Sequence, residues 1–491
     1  MKLIYNVKDK PKFGQLIVFA IQQLLAIMAA TLVVPVIING NILDFIEKGE
    51  VSWEAGTMMS PAAALLGAGL GTLTYALFTK FKSPVFLGSS FAFLGSMAAA
   101  FAGAASMAAG YVGLIIGAIF AGLVYVVIAL VVKFVGVGWI NKLMPAVVIG
   151  PTVAIIGLSL AGNAVGDLQN GGLKVAEKVA NVVSENNIDT IVYSDNFVSV
   201  AHPLICVLVG IVTLVIVALC STYGKKMTRL IPFIIGILGG YALAAVFTVI
   251  GTVAEIDALK VIDFSNITAL WADGVNLSTF ITLPDFSFIE ALKGVKEIDG
   301  TYIASLAVAY IPVAFVVFAE HIADHKNLSS IIESDLLEEP GLHRTLLGDG
   351  VGSMVGAFFG GCPNTTYGES VGCVAITGNA SVYTIITAAV LAIIISFVSP
   401  FVAFVNSIPA CVMGGVCMAL YGFIAVSGLK MVQKVDLNQN KNLFVVSTIL
   451  IAGIGGLTLT FGKVTLTSIA TALILGIIVN LLLSRKADEE A

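Results

Sequence analysis

Runs of about 20 apolar residues recur along the whole length of this sequence. The segments 60–79, 111–135 and 230–252 hold a single charged residue between them, Lys133. A helix needs about 20 residues to cross the roughly 30 Å hydrocarbon core of a bilayer. A soluble protein of 491 residues would need far more polar surface than 58% hydrophobic residues and a mean hydropathy of +1.01 allow. The sequence therefore predicts an all-α polytopic membrane protein.

Fourteen hydrophobic elements can be separated along the chain, and we number them as spans in chain order. The third and the tenth are short or interrupted. The elements cover 14–38, 60–79, 85–105, 111–135, 143–163, 202–221, 230–252, 303–325, 346–360, 369–379, 381–405, 408–428, 443–461 and 465–484.

Lysine and arginine flank these elements on alternate connections only. The positive-inside rule makes that side cytoplasmic and places both termini there. The two long loops on the opposite side, 164–201 and 253–302, carry more acidic than basic residues. The flanking cations are Lys2, Lys8, Lys10, Lys12, Lys80, Lys82, Lys133, Lys142, Lys225, Lys226, Arg229, Lys326, Arg344, Lys430, Lys434, Lys441, Arg485 and Lys486.

Two short motifs occur twice at a similar separation. MPAVVIG (144–150) opens span five and IPACVMG (408–414) opens span twelve, an offset of 264 residues from 144 to 408. GSSFAFLGS (88–96) begins span three, and NTTYGESVG (364–372) begins span ten. In both cases the second copy lies seven spans after the first. Because seven is an odd number, the two copies enter the membrane from opposite sides. An inverted repeat with interrupted helices at matching positions indicates a transporter with its site near the midplane.

Several other functions are disfavoured by the composition. A net charge of -5 provides no basic footprint for nucleic acid. The six cysteines lie in or beside apolar segments, without a CxxC motif or paired histidines, so we expect packing residues and no metal site. No nucleophile–base spacing is found, so we expect neither an enzyme nor a cofactor. The basic start MKLIYNVKDKPKFGQ is interpreted as a cytoplasmic flank and not as a cleaved signal.

The polar stretch CPNTTYGESVG (362–372) lies between two strongly apolar segments. Its residue Glu369 is the sharpest candidate for function, because a carboxylate at membrane depth normally faces a cavity or a partner. Pro363 and Gly368 favour a break in the helix. A helix that restarts near Glu369 would direct free N–H groups into such a cavity. The alternative is a surface loop between spans nine and eleven.

The second candidate is AEHIADHKN (319–327) at the cytoplasmic end of span eight. Glu320 and Asp324 are four residues apart and share one helix face. Two ionised carboxylates at that spacing repel each other, which suits a carrier coupled to protons. The alternative for Asp324 is that it marks the exit of the helix to the cytoplasm, and that is our interpretation of His325 and Lys326.

Aromatic residues flank both breaks: Phe91 in GSSFAF and Tyr367 beside Gly368. They are ordinarily packing residues, but at the mouth of two half-helices they offer a flat surface for a ring. Base–aromatic stacking contributes roughly 1–3 kcal/mol in sites that bind nucleobases. Carboxylate acceptors, backbone donors and a stacking surface together favour a planar cyclic imide or amide such as uracil or xanthine. They disfavour sulfate or a sugar.

These motifs resemble the nucleobase–ascorbate transporter family, and within it the bacterial uracil permeases. The similarity runs over almost the whole chain. It is strongest in QQLLAIMAATLVVP (22–35), GSSFAF (88–93), AEHIADH (319–325), DLLEEPGLHRTLLGDG (335–350) and PNTTYGESVGCVAITG (363–378).

The resemblance implies fourteen spans in a seven-plus-seven inverted repeat, with short antiparallel strands and half-helices in spans three and ten. Residues 1–142 and 303–406 would form a core domain (spans 1–4 and 8–11). Residues 143–302 and 407–491 would form a gate domain (spans 5–7 and 12–14). It also implies symport of a proton with a nucleobase, commonly as a homodimer, in a bacterial cytoplasmic membrane.

The resemblance further implies roles for individual residues. In similar permeases, glutamates at the positions of Glu320 and Glu369 hold the base. The backbone at Phe91 and Gly368 adds hydrogen bonds, while Tyr367 and Ala30 lie beside the pocket. Proton coupling would involve Glu369, Glu320 and Asp324.

Four positions depart from the uracil permease pattern or add to it. Asp324 stands where some uracil permeases have histidine, as in xanthine and purine carriers. Gln23 stands where some relatives have histidine, and Ser370 replaces the signature asparagine. Asp349 in GDG matches an acidic position of purine carriers.

We therefore expect a proton-coupled importer of uracil that works by alternating access. A xanthine or purine permease of the same family is the alternative, supported by Asp324, whereas Glu369 favours uracil. An anion exchanger on the same architecture, a channel and a membrane-embedded enzyme are less favoured.

Overall fold

The computed structural model of the protein describes residues 3–136, 139, 145–185, 188–225, 227–272, 274–461 and 464–487. Three of the cationic flanks, Lys2, Lys142 and Lys226, lie outside these residues. So does the predicted domain boundary between residues 142 and 143.

The described part of the chain is mostly helical. Before residue 300 its helices are α1 (Phe13–Glu47), α2 (Pro61–Phe78), α3 (Leu94–Ala102), α4 (Met107–Val135), α5 (Ala146–Ser159), α6 (Ala161–Asp167), α7 (Pro203–Tyr223), α8 (Met227–Leu230), α9 (Pro232–Val253), α10 (Ser265–Ala269), α11 (Leu277–Phe280) and α12 (Ser287–Gly294). From residue 300 onward they are α13 (Gly300–Ile332), α14 (Leu342–Gly360), α15 (Gly368–Thr377), α16 (Val382–Ser396), α17 (Ser399–Asn406), α18 (Ala410–Val432), α19 (Asn440–Ile454) and α20 (Ser468–Ala487).

Each of the fourteen predicted segments overlaps at least one of these helices. Among the described residues, eight helical stretches are long and apolar enough to cross a membrane. They are Phe13–Glu47, Pro61–Phe78, Met107–Val135, Ala146–Asp167, Pro203–Tyr223, Pro232–Val253, Gly300–Ile332 and Ala410–Val432.

Within the described residues, three antiparallel strand pairs accompany the helices. The pair that positions the site joins β1 (Leu87–Ser89) to β4 (Asn364–Thr366). Two hairpins, β2 (Lys174–Glu185) with β3 (Ile188–Ser199) and β5 (Leu459–Phe461) with β6 (Val464–Leu466), complete the set. The β2–β3 hairpin fills most of a region that the sequence analysis describes only as a loop.

Strands β1 and β4 bring the two interrupted spans together. Gly88 lies opposite Thr365, and the N–H of Ser90 donates to the carbonyl of Pro363 at 2.9 Å. Each strand is only three residues long, and a helical segment follows it directly. The expectation of short antiparallel strands in spans three and ten is confirmed.

Helices α2 and α14 approach closely behind this strand pair, because glycines face each other across their interface. A β-carbon on Gly71 would lie 2.8 Å from the carbonyl oxygen of Gly352. The side chain of Asn364 enters the same seam and donates from Nδ2 to the carbonyl of Gly67 at 3.0 Å. Small residues permit this approach of membrane helices. The seam fixes β4, and with it the start of α15.

The repeated Pro-Ala motifs take the same structural position in the two halves of the chain. Pro145 precedes the first residue of α5, and Pro409 precedes the first residue of α18. Both prolines have extended backbone angles, with φ -71° and -70°. Proline is well suited to a helix start, because the N–H it lacks would have no partner within the helix.

Candidate functional site

Helix α13 supplies two carboxylates to the site from one face. Glu320 and Asp324 are one turn apart, and the hydroxyl of Thr366 on β4 donates to Asp324 Oδ2 at 3.2 Å. A β-carbon on Gly368 would lie 3.8 Å from Asp324 Oδ1. The end of β4 and the start of α15 therefore pack directly against this face of α13.

Helix α15 supplies the third carboxylate from its first turn. Tyr367, with extended angles of φ -106° and ψ 124°, ends the strand segment, and the helix begins at Gly368. Glu369 is therefore the second residue of the helix. The first N–H groups of a helix have no partner within it and carry a positive partial charge. Donor groups and a carboxylate acceptor thus lie side by side here.

A cavity of about 380 Å³ opens against these groups. Glu320, Asp324 and Glu369 all line it and are partly exposed. Small residues complete the wall nearby: Ala26, Ala323, Gly368 and Gly372. The same cavity extends to Arg229, Ser427 and Met431. The structure therefore places Glu369 in a cavity wall and not in a surface loop.

A second cavity of about 40 Å³ also lies against the two glutamates. It shares Glu320, Gly368, Glu369 and Ile424 with the larger cavity. Its remaining wall is formed by Phe91, Ala92, Ile156, Thr365, Thr366 and Tyr367. The two glutamates are thus reached from both cavities.

The two predicted aromatic residues are both buried beside the smaller cavity. Tyr367 is 4% exposed, and its hydroxyl donates to the carbonyl of Ser89 at 2.6 Å. Phe91 is 9% exposed and meets the ring of Tyr421 edge-on, with centroids 6.0 Å apart. Tyr367 therefore ties β1 to the start of α15, while Phe91 forms part of the wall of the smaller cavity.

Ala30 lines neither of the two cavities and is buried within the helical core. Ala26, one turn earlier on α1, is in the wall of the larger cavity instead. Gln23 and Ser370 also lie outside both walls. Gln23 Nε2 donates to Ser370 Oγ at 2.6 Å, and the N–H of Phe86 donates to the same oxygen at 3.1 Å. They join α1, the approach to β1 and α15.

Asp349 lies behind α13, away from both cavities. Its Oδ2 is 2.7 Å from His321 Nδ1, and His321 Nε2 is 3.0 Å from Thr345 Oγ1. His321 and Asp349 are essentially unexposed. The other carboxylate oxygen of Asp349 has no hydrogen-bond partner within the described ranges.

The interpretation of His325 as a marker of the helix exit is wrong. His325 is fully buried, its ring stacks on that of His321 at 3.9 Å, and its Nε2 lies 2.7 Å from the hydroxyl of Tyr75. Its face of α13 is turned toward α2, and the helix continues to Ile332. Lys326, on another face, is exposed as expected.

Polar residues of the cavity walls that were not singled out as site candidates from the sequence include Arg229, Thr365, Thr366 and Ser427. Thr365 and Thr366 belong to the NTTY motif (364–367), so the sequence alone places them close to Glu369. Arg229 counted only as a cationic flank. Among the residues that the structure describes, no group of His, Cys, Asp and Glu has the arrangement of a metal site.

The arrangement combines three carboxylates, the first N–H groups of α15, two threonine side chains and the aromatic residue Phe91 around two cavities that share part of their walls. It can accept N–H groups and donate to carbonyl oxygens. Comparison with known proteins agrees with a transport site. The sequence matches the family model described as Permease family over residues 14–462. The chain belongs to this family. The predicted membership of the nucleobase–ascorbate transporter family is confirmed.

Curated relatives of this permease extend over nearly the whole chain. It is 36% identical to the uracil permease of Bacillus caldolyticus, over 98% of this chain and 95% of the relative. It is 34% identical to the uracil permease of Bacillus subtilis (strain 168), over 100% and 97%. It is 33% identical to the uracil permease of Escherichia coli (strain K12), over 96% and 92%.

Two solved structures with a similar fold are described as transporters. The transmembrane domain of the cyanobacterial bicarbonate transporter BicA matches with a TM-score of 0.58 and 13% identity, over 97% of this chain and 99% of that domain. The murine anion transporter Slc26a9 in the inward-facing state matches with a TM-score of 0.61 and 12% identity, over 98% and 70%. The permease is a multi-pass membrane transporter and not an enzyme.

Proposed function

We propose that this permease is a proton-coupled symporter that imports uracil by alternating access. The observation that carries the proposal is the position of Glu320 and Glu369. They come from two different helices and line the same two cavities, beside the free N–H groups of α15. The names of its curated relatives, uracil permeases over nearly their full lengths, support this substrate.

In the proposed complex the base lies in the larger cavity, against the start of α15. Glu320 and Glu369 accept its ring N–H groups, and the backbone at Gly368 and Phe91 donates to its carbonyl oxygens. Charge-assisted hydrogen bonds of this kind contribute about 1.5–3 kcal/mol each. The cavity volume of about 380 Å³ is larger than the volume of a pyrimidine ring, so the base can enter and leave the cavity.

Proton coupling is proposed to arise from crowding of acidic groups. Glu320, Asp324 and Glu369 face one cavity, so a proton taken up by one of them relieves repulsion among the remaining charges. A proton and a neutral base would then bind together more readily than either alone. Thr366 holds Asp324 in place through its hydrogen bond.

For the transport cycle we propose fourteen spans in two inverted halves, with both termini in the cytoplasm of a bacterial cell. The paired strands β1 and β4, and the matching prolines at the starts of α5 and α18, support such a repeat. The larger cavity extends to Arg229, on the side to which the lysine and arginine distribution assigns the cytoplasm. An inward-open state is the interpretation that we favour. A homodimer is proposed from the family resemblance alone.

A xanthine or purine permease of the same family is the second candidate, because Asp324 faces the cavity where some uracil permeases have histidine. An anion exchanger is the third, because the fold is shared with anion transporters. Three cavity carboxylates argue against an anionic substrate.

The test is uptake of radiolabelled uracil into energised vesicles that contain the permease. Glu320→Gln and Glu369→Gln are each expected to abolish accumulation, whereas Glu338→Gln on an exposed turn should not change it. A protonophore should abolish uphill uptake by the wild-type protein. Excess unlabelled uracil should compete, and xanthine, hypoxanthine and uric acid should compete poorly. Full uphill uptake by both glutamine variants would refute these roles, and stronger competition by xanthine would reassign the substrate.

A further inference from the structure

The hydroxyl of Thr365 is buried without a hydrogen-bond partner. The residue is 2% exposed, and its Oγ1 has no partner among the described residues. Both neighbours in the strand donate a side-chain hydrogen bond: the amide Nδ2 of Asn364 donates to the carbonyl of Gly67, and the hydroxyl of Thr366 donates to Asp324. A buried polar group without a partner is destabilising and needs an explanation. Valine would fill the same space without this cost.

The space beside Thr365 is the smaller cavity, and it lies against both glutamates of the proposed site. Thr365 lines it together with Glu320, Gly368 and Glu369. One water needs roughly 10–15 Å³ of such space, so about 40 Å³ admits about three or four oxygen-sized groups and is too small for a six-membered ring. A bound ring therefore stays in the larger cavity, and one exocyclic atom can enter the smaller one.

The chemistry of the two glutamates identifies that atom. Consider a ring in which two N–H groups flank one carbon, each N–H donating to one of the two acceptors. The exocyclic atom on that carbon then lies between the two acceptors. In uracil and in xanthine this atom is the carbonyl oxygen of the N–CO–N unit. The oxygen would enter a space whose wall includes a hydroxyl that lacks a partner.

We propose that Thr365 is a specificity-determining residue, whose hydroxyl donates to the carbonyl oxygen of the N–CO–N unit of the bound base. The inference rests on the proposed function and deepens it. It narrows the proposed substrates from planar rings with N–H groups to cyclic ureides. A lactam that lacks the second N–H, or a ring with a poor acceptor at this position, should be selected against.

Equilibrium binding to the purified permease in lipid nanodiscs tests the inference with two ligands, uracil and 2-thiouracil. Sulfur is the weaker acceptor, so the wild-type protein should prefer uracil. Thr365→Val is expected to weaken uracil binding about five- to tenfold, the usual loss for one hydrogen bond. It should weaken 2-thiouracil less, so that the ratio of the two Kd values moves toward one. Thr365→Ser keeps the hydroxyl and should keep the wild-type ratio.

Thr471→Val is the matched control, because Thr471 is likewise buried (1% exposed), its hydroxyl has no partner among the described residues, and it lines neither cavity. It should leave both Kd values unchanged. Thr365→Ala provides a second variant should the valine variant not fold. A folding defect lowers the active fraction for both ligands alike and leaves the ratio unchanged. A wild-type ratio in Thr365→Val or Thr365→Ala would overturn this inference alone. Failure of the wild-type protein to bind either ligand would overturn the proposed function and the inference with it.

Discussion

The smallest change expected to disturb the site is one methyl group at Gly88. Gly88 lies on β1 opposite Thr365 and directly against the ring of Tyr367. A β-carbon here would lie 2.5 Å from Cζ of that ring and 2.9 Å from Thr31 Oγ1. The ring of Tyr367 cannot move freely, because it is buried and its hydroxyl donates to the carbonyl of Ser89. Gly88→Ala must therefore displace the ring and lose that bond.

The cost can be estimated from these two effects. One added methylene-sized group in a well-packed interior costs about 1–3 kcal/mol. The lost hydrogen bond adds about 0.5–1.5 kcal/mol. Together they predict a destabilisation of about 1.5–4.5 kcal/mol. Because Tyr367 precedes the first residue of α15, the displacement should also move Glu369 and weaken ligand binding.

The assay is thermal or denaturant unfolding of the purified permease, combined with uracil binding. Gly95→Ala on α3 is the matched control, since a β-carbon at Gly95 has nothing within 4 Å. It should be neutral or stabilising by about 0.5–1 kcal/mol, as for glycine-to-alanine changes within helices. Adding Gly88→Ala to a Tyr367→Ala background should cost clearly less than adding it to the wild type. Equal stabilities of Gly88→Ala and Gly95→Ala would refute this reasoning.

Two further predictions concern polar contacts away from the cavities. Asp349→Leu should destabilise the protein by about 1–3 kcal/mol, because His321 loses a buried partner, whereas Asp349→Asn keeps an acceptor and should cost less in unfolding measurements. The hydrogen bond and charge of Lys82, at 2.5 Å, lower the pKa of Glu339, so this surface pair stabilises the fold above the ordinary glutamate pKa and ceases to do so as the pH falls through the lowered value. The difference in Tm between Lys82→Ala and wild type should therefore be small at pH 7, shrink further at acid pH and vanish in high salt. A difference that grows on acidification would contradict this account.

The interrupted spans show how much of the site the sequence could predict. Polar and helix-breaking residues within apolar surroundings can be located by inspection, which is how GSSFAF and NTTYGE were paired. The cost of exposing backbone groups to lipid then requires that they meet inside the protein. Glu320, Asp324 and Glu369 face one cavity as this argument expects, and Phe91 and Tyr367 lie beside the second.

The rotation of an apolar helix about its axis could not be predicted in the same way. In α1, small and large apolar residues alternate without a clear period, so nothing marks Ala26 rather than Ala30 as the residue that faces the cavity. His325 shows the same difficulty at a helix end. Its nearness to Lys326 suggested exposure, but its partner Tyr75 lies 250 residues away in the chain and no local pattern reveals it.

The fold alone also does not determine the charge of the transported substrate. Two half-helix starts offer N–H groups to whatever lies between them, and such groups suit an anion as well as a carbonyl oxygen. Transporters of bicarbonate and of other anions share this fold at 12–13% identity. In this permease Glu369 occupies the first turn of α15, and Glu320 and Asp324 line the same cavity. An anion about 4 Å from one ionised carboxylate would be repelled by about 1 kcal/mol in water and about 4 kcal/mol at an effective dielectric constant of 20. Each carboxylate that remains ionised adds to this repulsion, whereas a neutral ring with N–H groups gains an acceptor from it. The side chains at the helix start, more than the fold, therefore favour a nucleobase over an anion.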